Sequence, residues 1–483
     1  RAQKSPSRVA AEMVFFVPEG FDMQPPFDIA ADLDTPVSAF LKLRGLEPRY
    51  LLESVEGGTR LARYSFIGFG AATELVVAAG EFRLNGDARA LPSSAGGYLD
   101  AFRDVLNELP PLAPATPELP FTGGLVGYAG YDVVRRFERL SAAQPRRGGE
   151  PEAAYVATEA LLVFDHLTRR AALLHAGGDA DRRALGREVR ARLRGALPAA
   201  PRGGYDAEPA QSLSEAEYVA GVGRAKEAIA AGDVYQLVLS VLFEGRSDVD
   251  AFEVYRALRL LNPSPYMFFC DIGGLQVAGS SPEALVRLNG DTARLRPIAG
   301  TRPRGRDRHE DAAYAAELAA DPKETAEHVM LVDLARNDLG RVAATGSVQV
   351  DPYMSIERYS HVMHIVSGVR GTMAPGRDAF DLFRAAFPAG TLVGAPKIRA
   401  MQLIDELEPV NRGLYAGTVG YFGQSGDMDQ AITIRTLVFD DDGYRFQAGA
   451  GIVADSDPAL EYQEVLHKSA ILRRALAMAA EGI

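Results

Sequence analysis

The pattern of apolar positions divides the chain into two regions, of which the second opens on a clear helix. At "SEAE", Ser214 can cap a helix while Glu217 bonds back to the cap. Apolar residues then recur at helical spacing until Gly232, namely Val219, Val222, Ala225 and Ile229. From there to the C-terminus the pattern predicts strands alternating with helices, and Gly-rich turns concentrate between residues 390 and 451.

The first region is predicted to mix strands with loops. Residues 63–86 have the pattern of successive short strands separated by Gly. Residues 123–137 form a Gly-rich strand that passes into a helix, and residues 153–178 form a hairpin with "DHLT" at its turn. A basic amphipathic helix is predicted over 179–197, with its arginines on a solvated face.

A stretch rich in Pro, Gly and Ala, residues 198–212, separates the two regions. Such a composition is typical of a linker. We therefore expect an N-terminal region over 1–205 and a C-terminal region over 206–483 that holds the chemically suggestive motifs.

Two pairs of glutamates stand three residues apart, Glu324 with Glu327 and Glu461 with Glu464. On a helix such residues share one face, and like charges there cost a few tenths of a kcal/mol. Either pair alone is ordinarily explained as helix surface. If the pairs face one another across a site, a hard cation must neutralise them, and Mg²⁺ suits carboxylate oxygens best. Lys468, two turns after Glu461, could hold the far end of a bound anion.

Composition narrows the class of protein. The 483 residues are 47% hydrophobic and 24% charged, which favours a globular chain. The net charge of −12 argues against a nucleic-acid partner. The single cysteine, Cys270, lies in an apolar run, which favours a core thiol and excludes an intrachain disulfide. With neither an apolar run of about 18 residues nor a signal core, the sequence predicts a cytoplasmic enzyme without a membrane span.

Two glycine-containing stretches resemble nucleotide motifs without meeting their requirements. Gly449, Gly451 and Ala454 have dinucleotide-fingerprint spacing, but the "DSDP" that follows delays the helix which the fingerprint needs. Bare backbone amides approaching an anion are the better interpretation. The stretch 388–397 lacks the second glycine of a P-loop, because Ala395 stands there.

Three polar residues lie in apolar, β-branched segments. His361 and His364 are three apart in a predicted strand, so at most one can serve a given site. A strand histidine is either a hydrogen-bonded core residue or, with its near-neutral pKa, a catalytic group. Arg435 is predicted on an apolar strand, where a buried guanidinium needs a carboxylate partner from protein or substrate.

An ordered set of motifs resembles the chorismate-utilising enzymes, densely over 214–472 and more loosely before. The motifs are "SPEAL", "RPIAGTRPRG", "DPKETAEHVMLVDLARNDLGR", "YSHVMHIVSGVRG", "FPAGTLVGAPKIRAM", "NRGLYAGTVGYFG", "ITIRTL" and "GAGIVADSDPALEYQEVLHK". The resemblance implies an α+β fold in which two antiparallel β-sheets pack as a sandwich with helices outside.

Within the family, the motifs are most similar to the branch that makes anthranilate and pyruvate from chorismate and ammonia, with Mg²⁺ as cofactor. The resemblance implies that Glu327 and Glu464 contact the metal, supported through water by Glu324 and Glu461. The substrate-binding positions that it implies are Gly300, Thr301, Thr391, Tyr415, Arg435, Gly449, Ala450, Gly451 and Lys468. Glu283 would be the general acid for the departing 4-hydroxyl, and His364 would assist the loss of pyruvate.

Two positions discriminate within the family. Relatives that add water carry a lysine where this chain has Gln236, and an amide cannot act as a general base. Aminodeoxychorismate synthases often carry a lysine where this chain has Ala299. The two residues favour anthranilate formation, and aminodeoxychorismate synthase component I remains the alternative.

The resemblance also implies a tryptophan feedback pocket and a partner. Ser54, Pro265, Tyr266 and Met267 match tryptophan-binding positions, although Met267 alone would be interpreted as core. Because Cys270 lacks a glutaminase setting, ammonia is expected from a separate glutamine amidotransferase subunit in a hetero-oligomer. A non-catalytic tryptophan-sensing homologue is the alternative of another class, and the retained carboxylates argue against it.

Overall fold

The structure is a computed structural model that describes residues 26–54, 63–140, 150–359 and 362–483. The α-helices of these ranges are α1 Pro36–Lys42, α2 Ala95–Glu108, α3 Asp179–Leu193, α4 Glu215–Ala230, α5 Ala251–Leu261, α6 Arg308–Ala320, α7 Pro322–Gly340, α8 Ala379–Ala386, α9 Lys397–Leu407 and α10 Pro458–Glu481. Three 3₁₀ turns lie at Arg44–Leu46, Tyr131–Arg136 and Gly390–Leu392. None of the helices in the described ranges is long and apolar enough to cross a membrane.

The strands of the first region, in chain order, are β1 Ile29–Ala30, β2 Tyr50–Glu53, β3 Tyr64–Ala78, β4 Glu81–Leu84, β5 Asp87–Ala90, β6 Gly124–Ala129, β7 Ala153–Asp165 and β8 Arg170–His175. Those of the second region are β9 Ala210–Gln211, β10 Gln236–Gly245, β11 Tyr266–Ile272, β12 Leu275–Ser281, β13 Ala284–Asn289, β14 Thr292–Leu295, β15 Ile298–Pro303, β16 Gln349–Val350, β17 Ser355–Arg358, β18 Val362–Val366, β19 Val369–Thr372, β20 Gly394–Ala395, β21 Thr418–Gly423, β22 Met428–Ile432, β23 Thr436–Asp440 and β24 Gly443–Ile452.

The strand pairings are antiparallel and link the two halves of the chain. Twenty-one strands form one hydrogen-bonded sheet, and β15, β18 and β17 form a second, smaller one. Strand β2 pairs with β11, and β6 pairs with β21, so that strands of the first region complete the sheet of the second. The mixed fold with antiparallel sheets is therefore confirmed. The boundary between 205 and 206 falls between α3 and β9, outside regular structure, and stays a prediction.

The large sheet buries apolar side chains on both faces. One cluster contains only strand and loop residues, such as Phe66, Val126 and Cys270, so strands supply its core without helices. The other cluster includes helical residues, such as Phe252 of α5 and Leu472 of α10. Alternation along the strands produces this division, because successive side chains point to opposite faces. The helices thus cover one face, and the interpretation of Cys270 as a core thiol is confirmed.

Among the local predictions for the first region and the start of the second, one long strand is the exception. Ser214 accepts from the Glu217 amide and Glu217 bonds back, as the capping box requires. Strands β7 and β8 form the predicted hairpin. Residues 63–86 are not a series of short strands: β3 runs unbroken from Tyr64 to Ala78, with a register shift between Phe69 and Ala72. A bulge there absorbs the extra residues, so the glycines do not end the strand.

A buried ion pair joins the loop after α9 to the centre of the sheet. Arg412 contacts Glu408 at 2.7 Å and also donates to the carbonyls of Leu392 and Val238. Both side chains of the ion pair are almost fully buried. Removing one member leaves the other charge without compensation in the interior.

We expect Arg412→Met to lower the free energy of unfolding by about 3–5 kcal/mol, because it leaves the buried Glu408 carboxylate without its positive partner. Urea denaturation at neutral pH measures this. Arg306→Met is the matched control, since Arg306 pairs with Glu310 in solvent, and no measurable change is expected. Equal effects of the two substitutions would contradict a structural role for the buried pair.

Candidate active site

A cavity of about 590 Å³ lies where β15, β18, β24, α7 and α10 meet. Most of the predicted catalytic and substrate-binding residues line it: Glu283, Gly300, Thr301, Glu327, His364, Thr391, Tyr415, Arg435, Gly449, Gly451 and Lys468. These residues are dispersed over nearly 190 positions of the sequence, and the fold brings them to one concave surface. A roomy cavity with a few convergent polar groups is the usual form of a small-molecule site.

Glu283 is a buried carboxyl group on the wall of this cavity. Burial raises its pKa from the ordinary 4.5 to about 7, while a hydrogen bond from Thr391 and the charge of Arg435 oppose the rise. The Thr391 hydroxyl donates to Glu283 Oε1 over 3.0 Å. A carboxyl group with a pKa near neutrality can hold a proton at neutral pH and release it to a leaving group. This is the property that a general acid needs.

The position of Arg435 differs from the predicted one. It does not lie on a buried strand but in the bend between β22 and β23, and its side chain is exposed at the cavity. Its φ of 50° is left-handed, which is uncommon for a residue with a side chain. The Ser280 amide donates to the Arg435 carbonyl over 3.2 Å and helps to hold this bend. An exposed guanidinium at a cavity can bind a carboxylate that enters from solution.

His364 lies on β18, and its ring is oriented by the neighbouring strand β15. Nδ1 is 2.8 Å from the Gly300 carbonyl and 3.1 Å from Thr301 Oγ1. A carbonyl can only accept, so Nδ1 carries the proton, and the neutral ring has its lone pair on Nε2. The edge of Tyr359 packs against the ring. The strand assignment is confirmed for His364, whereas His361 lies outside the described residues.

Two glycines allow backbone to approach the site closely. Gly300 has a φ of 65°, and a Cβ there would meet Leu318 Cδ1 at 2.8 Å. A Cβ on Gly449 would lie 2.8 Å from both the Tyr415 hydroxyl and the Leu239 carbonyl oxygen. Gly449 and Gly451 lie within β24, and α10 begins only at Pro458, so the stretch is not a dinucleotide fingerprint.

The first acidic pair lies on α7 and is held by two neighbours. Gln236 Nε2 donates to Glu327 over 3.3 Å, and Arg302 contacts Glu324 at 3.3 Å. Burial raises the pKa of Glu327, and the charges of Glu324 and Glu464 raise it further. Glu464 belongs to the other helix, so the two acidic pairs are close enough for their charges to interact.

The second acidic pair lies on α10, beside Lys468. Lys468 Nζ contacts Glu464 at 2.6 Å and donates to the Gly449 carbonyl over 3.1 Å. Burial raises the pKa of Glu461, as does the charge of Glu464. Lys468 therefore ties the acidic helix to the glycine strand at the edge of the cavity.

The carboxylates fit a hard cation that is completed by other ligands. In the described ranges, acidic and histidine side chains do not form a group of three or more close enough to hold a metal by themselves. Mg²⁺ commonly uses one or two carboxylates and takes its remaining ligands from water and substrate. Burial raises the pKa values of Glu327 and Glu461, and the charge of Glu464 raises both further, so Glu327 and Glu464 would supply such a pair.

Several predicted residues lie beside the cavity rather than on its wall. Gln236, Glu324, Glu461 and Glu464 surround it through the contacts above. The side chain of Ala450 is in the core, so only its backbone could reach a ligand. Their functional assignments stay predictions.

The predicted tryptophan-binding residues come together at the ends of β2 and β11. Glu53 pairs with Met267, which places Ser54 beside Tyr266. Met267 is in the core, while the Tyr266 hydroxyl bonds to Asp429 and Arg287 on the opposite face. Pro265, immediately before β11, lines the catalytic cavity. The predicted tryptophan-binding residues and the cavity therefore share Pro265.

Some residues that line the cavity could not be identified as functional from the sequence alone. Gln447, Asn262 and Tyr359 line the cavity but were not predicted there. Gln447 is a lone amide in the apolar stretch of β24, a signal that could have identified it. Asn262 stands three residues before Pro265 of the predicted tryptophan-binding group, and Tyr359 becomes a candidate only once β18 is placed beside it.

Comparison with known proteins identifies the class. The model of the family described as chorismate binding enzyme matches residues 47–474. The chain belongs to this family.

Individual members of the family show which proteins this chain is similar to. The chain is 45% identical to anthranilate synthase component 1 of Thermus thermophilus over 94% of this chain and 97% of that protein. It is 43% identical to anthranilate synthase component 1 of Pseudomonas aeruginosa over 98% of this chain and 99% of that protein. The crystal structure of anthranilate synthase component I from Streptococcus pneumoniae matches with a TM-score of 0.76 and 34% identity, covering 92% of this chain and 98% of that one. The resemblance inferred from the motifs is confirmed.

We expect Glu283→Gln to change how stability depends on pH. Between about pH 4.5 and 7 the folded carboxyl group keeps a proton that the unfolded one has lost, so stability falls as pH rises. A rise in pKa from 4.5 to about 7 corresponds to about 3 kcal/mol. Urea denaturation at a series of pH values should show this loss in the unmodified protein and not in the variant.

The control is Glu406→Gln, since Glu406 is mostly exposed and should leave the pH profile unchanged. A Glu283→Gln profile parallel to that of the unmodified protein would mean that Glu283 is ionised at neutral pH and does not act as the acid.

Proposed function

We propose that the protein is a Mg²⁺-dependent lyase that converts chorismate and ammonia to anthranilate and pyruvate. The observation that carries this proposal is a buried acid, Glu283, beside the exposed guanidinium of Arg435, in a cavity edged by two acidic helices. Such a site combines a proton donor, a carboxylate-binding cation and the ligands of a hard metal. Chorismate carries two carboxylates and a hydroxyl leaving group, which require these three functions.

The residues of the cavity divide the reaction between them. Arg435 binds the enolpyruvyl carboxylate, and Glu283 gives its proton to the 4-hydroxyl, which leaves as water while ammonia adds to the ring. His364, with its lone pair on Nε2, takes a ring proton as pyruvate departs and the ring becomes aromatic. Gly300, Thr301, Thr391, Tyr415, Gly449, Ala450, Gly451 and Lys468 position the substrate.

Glu327 and Glu464 would bind Mg²⁺, with Glu324 and Glu461 supporting through water. When bound, the ion supplies positive charge that holds the ring carboxylate of the substrate. Gln236 holds Glu327 by its amide group. An amide cannot take a proton from water, which favours ammonia over water as the nucleophile.

Ala299 argues against the alternative function, that of aminodeoxychorismate synthase component I. It lines the cavity with an apolar side chain, so a lysine nucleophile is absent from that position. A non-catalytic tryptophan sensor is disfavoured, since mutually repelling carboxylates serve no purpose in a pseudoenzyme.

The remaining parts of the proposal concern assembly and architecture. A separate glutamine amidotransferase subunit would supply ammonia in a hetero-oligomer, located in the cytoplasm.

The large sheet would form a two-layer sandwich around the cluster that contains only strand and loop residues. Residues 1–205 would be the N-terminal region and residues 206–483 the catalytic region.

The direct test incubates the purified chain with chorismate and ammonium salt, with Mg²⁺ or with chelator. We expect fluorescent anthranilate and stoichiometric pyruvate with Mg²⁺ only, and no turnover with glutamine. Glu283→Gln should lower the rate by about 10²-fold or more. A product that keeps its enolpyruvyl group would contradict the assignment, as would glutamine-supported turnover by the pure chain.

Tryptophan feedback has its own test. We expect tryptophan to inhibit the ammonium-dependent reaction, and Ser54→Ala to weaken inhibition about fivefold through one lost hydrogen bond while the KM for chorismate is unchanged. Ser425→Ala, in the turn between β21 and β22, is the matched control. Unaltered inhibition in Ser54→Ala would remove that residue from the effector site.

A further inference from the structure

A second, smaller cavity adjoins the catalytic cavity at Glu283, and we call it the rear cavity. Its volume is about 40 Å³, and residues of β13, α7 and the segment between α8 and β20 line it. Glu283, Leu331 and Thr391 line both cavities. The acid of the site therefore belongs to the wall that separates the substrate from the rear cavity.

The rear cavity has the size and the polar groups that water needs. Its polar side chains are those of Glu283, Arg296, Asp338 and Thr391, and the rest of its wall is apolar. A cavity of about 10–15 Å³ admits one water molecule when two to four polar groups bind it. With about 40 Å³, the rear cavity has room for more than one.

Asp338 of α7 is a buried acid that lines the rear cavity opposite no substrate group. Lys397 Nζ contacts Asp338 Oδ2 at 3.0 Å and also donates to the Ala386 carbonyl over 3.1 Å. Asp338 Oδ1 makes no hydrogen bond to any residue that the structure describes. Burial raises the pKa of Asp338, while the charges of Lys397 and Arg341 oppose the rise. An acid with a raised pKa and an open oxygen can exchange a proton with water.

Glu283 also has one bonded and one open oxygen. Oε1 accepts from the Thr391 hydroxyl over 3.0 Å, whereas Oε2 makes no hydrogen bond within the described ranges of the chain. The charge of Arg435 acts on the same carboxyl group from the catalytic cavity. The two acids of the rear cavity, Glu283 and Asp338, thus each retain an oxygen that water can bind.

The proposed reaction requires Glu283 to regain a proton in every turnover. As the bond between the ring and the 4-hydroxyl breaks, the proton of Glu283 departs in the water molecule and a carboxylate remains. Substrate and products then occupy the catalytic cavity and limit the access of solvent on that side. The rear cavity offers another direction, because the side chain of Arg296 in its wall is 40% exposed.

We propose that the rear cavity returns protons to Glu283 and that Asp338 is the donor within it. The Asp338 carboxyl group gives its proton through water to the Glu283 carboxylate, and it regains one from solvent at the outer end of the cavity. Lys397 keeps its charge throughout and stabilises the Asp338 carboxylate in the interval. Asp338 does not touch the substrate, so it acts through Glu283. The inference rests on the proposed function, because it assumes that Glu283 is the acid.

The experiment compares the first turnover with later ones in the purified chain, by rapid mixing with chorismate, ammonium salt and Mg²⁺ and by anthranilate fluorescence. Asp338→Asn removes the proton donor and keeps the shape of the side chain. Ala335→Leu fills the rear cavity without changing a charged group. The matched controls make the same changes in solvent: Asp333→Asn on the exposed side of α7, and Ala316→Leu on the exposed side of α6. The protein starts at pH 6, below the pKa of about 7 for Glu283, so that Glu283 is protonated before mixing.

We expect Asp338→Asn and Ala335→Leu to form the first equivalent of anthranilate within about twofold of the unmodified rate, and later equivalents about tenfold or more slowly, because only reprotonation is impaired. The KM for chorismate should not change, and both controls should behave as the unmodified protein does. Equal slowing of the first and later turnovers would show that the substitutions only disturb packing between α7 and α9, and it would overturn the proposal.

An unchanged steady-state rate in either variant would also overturn it, and Ala335→Leu alone decides if Asp338→Asn does not fold. The proposed function fails in a different way. If the unmodified protein forms no anthranilate, or if Glu283→Gln is fully active, Glu283 is not the acid of this reaction, and the two failures are thereby distinguished.

Discussion

Electrostatic repulsion between carboxylates on two facing helices is the constraint around which the site is built. Glu324 and Glu464 both raise the pKa of Glu327, and Glu464 does the same to Glu461. Such an arrangement is unfavourable without positive charge. The protein supplies part of it through Arg302 and Lys468, and a hard cation would supply the rest. The fold holds α7 and α10 at one cavity so that an acidic ligand can bind there.

The cavity contains one side chain that can hold a proton and another that is positively charged, and the two differ in how deeply they are buried. Burial raises the pKa of Glu283 to about 7, whereas Arg435 stays exposed in a left-handed bend. Glu283 lies between β12 and β13, and Arg435 lies between β22 and β23. Because β12 pairs with β23 and β13 pairs with β22, the two connections are neighbours and both residues line the cavity.

The features that were predicted correctly depend on residues that are close together in the sequence. The capping box at Ser214, the hairpin of β7 and β8 and the late start of α10 were all predicted from spacing and turn residues. The bend at Arg435 was not, because its apolar neighbours have a strand pattern and only tertiary contacts impose the left-handed conformation. The pairing of β2 with β11 and the position of Pro265 at the cavity depend on long-range contacts, which sequence periodicity does not encode.

The most direct measurement of the central claim is a crystal structure grown with Mn²⁺ in place of Mg²⁺ and a chorismate analogue. We expect one anomalous peak between Glu327 and Glu464, with one carboxylate of the analogue beside the ion and Arg435 bound to the other carboxylate. A structure whose four glutamates point into solvent, with the analogue bound away from them, would contradict it.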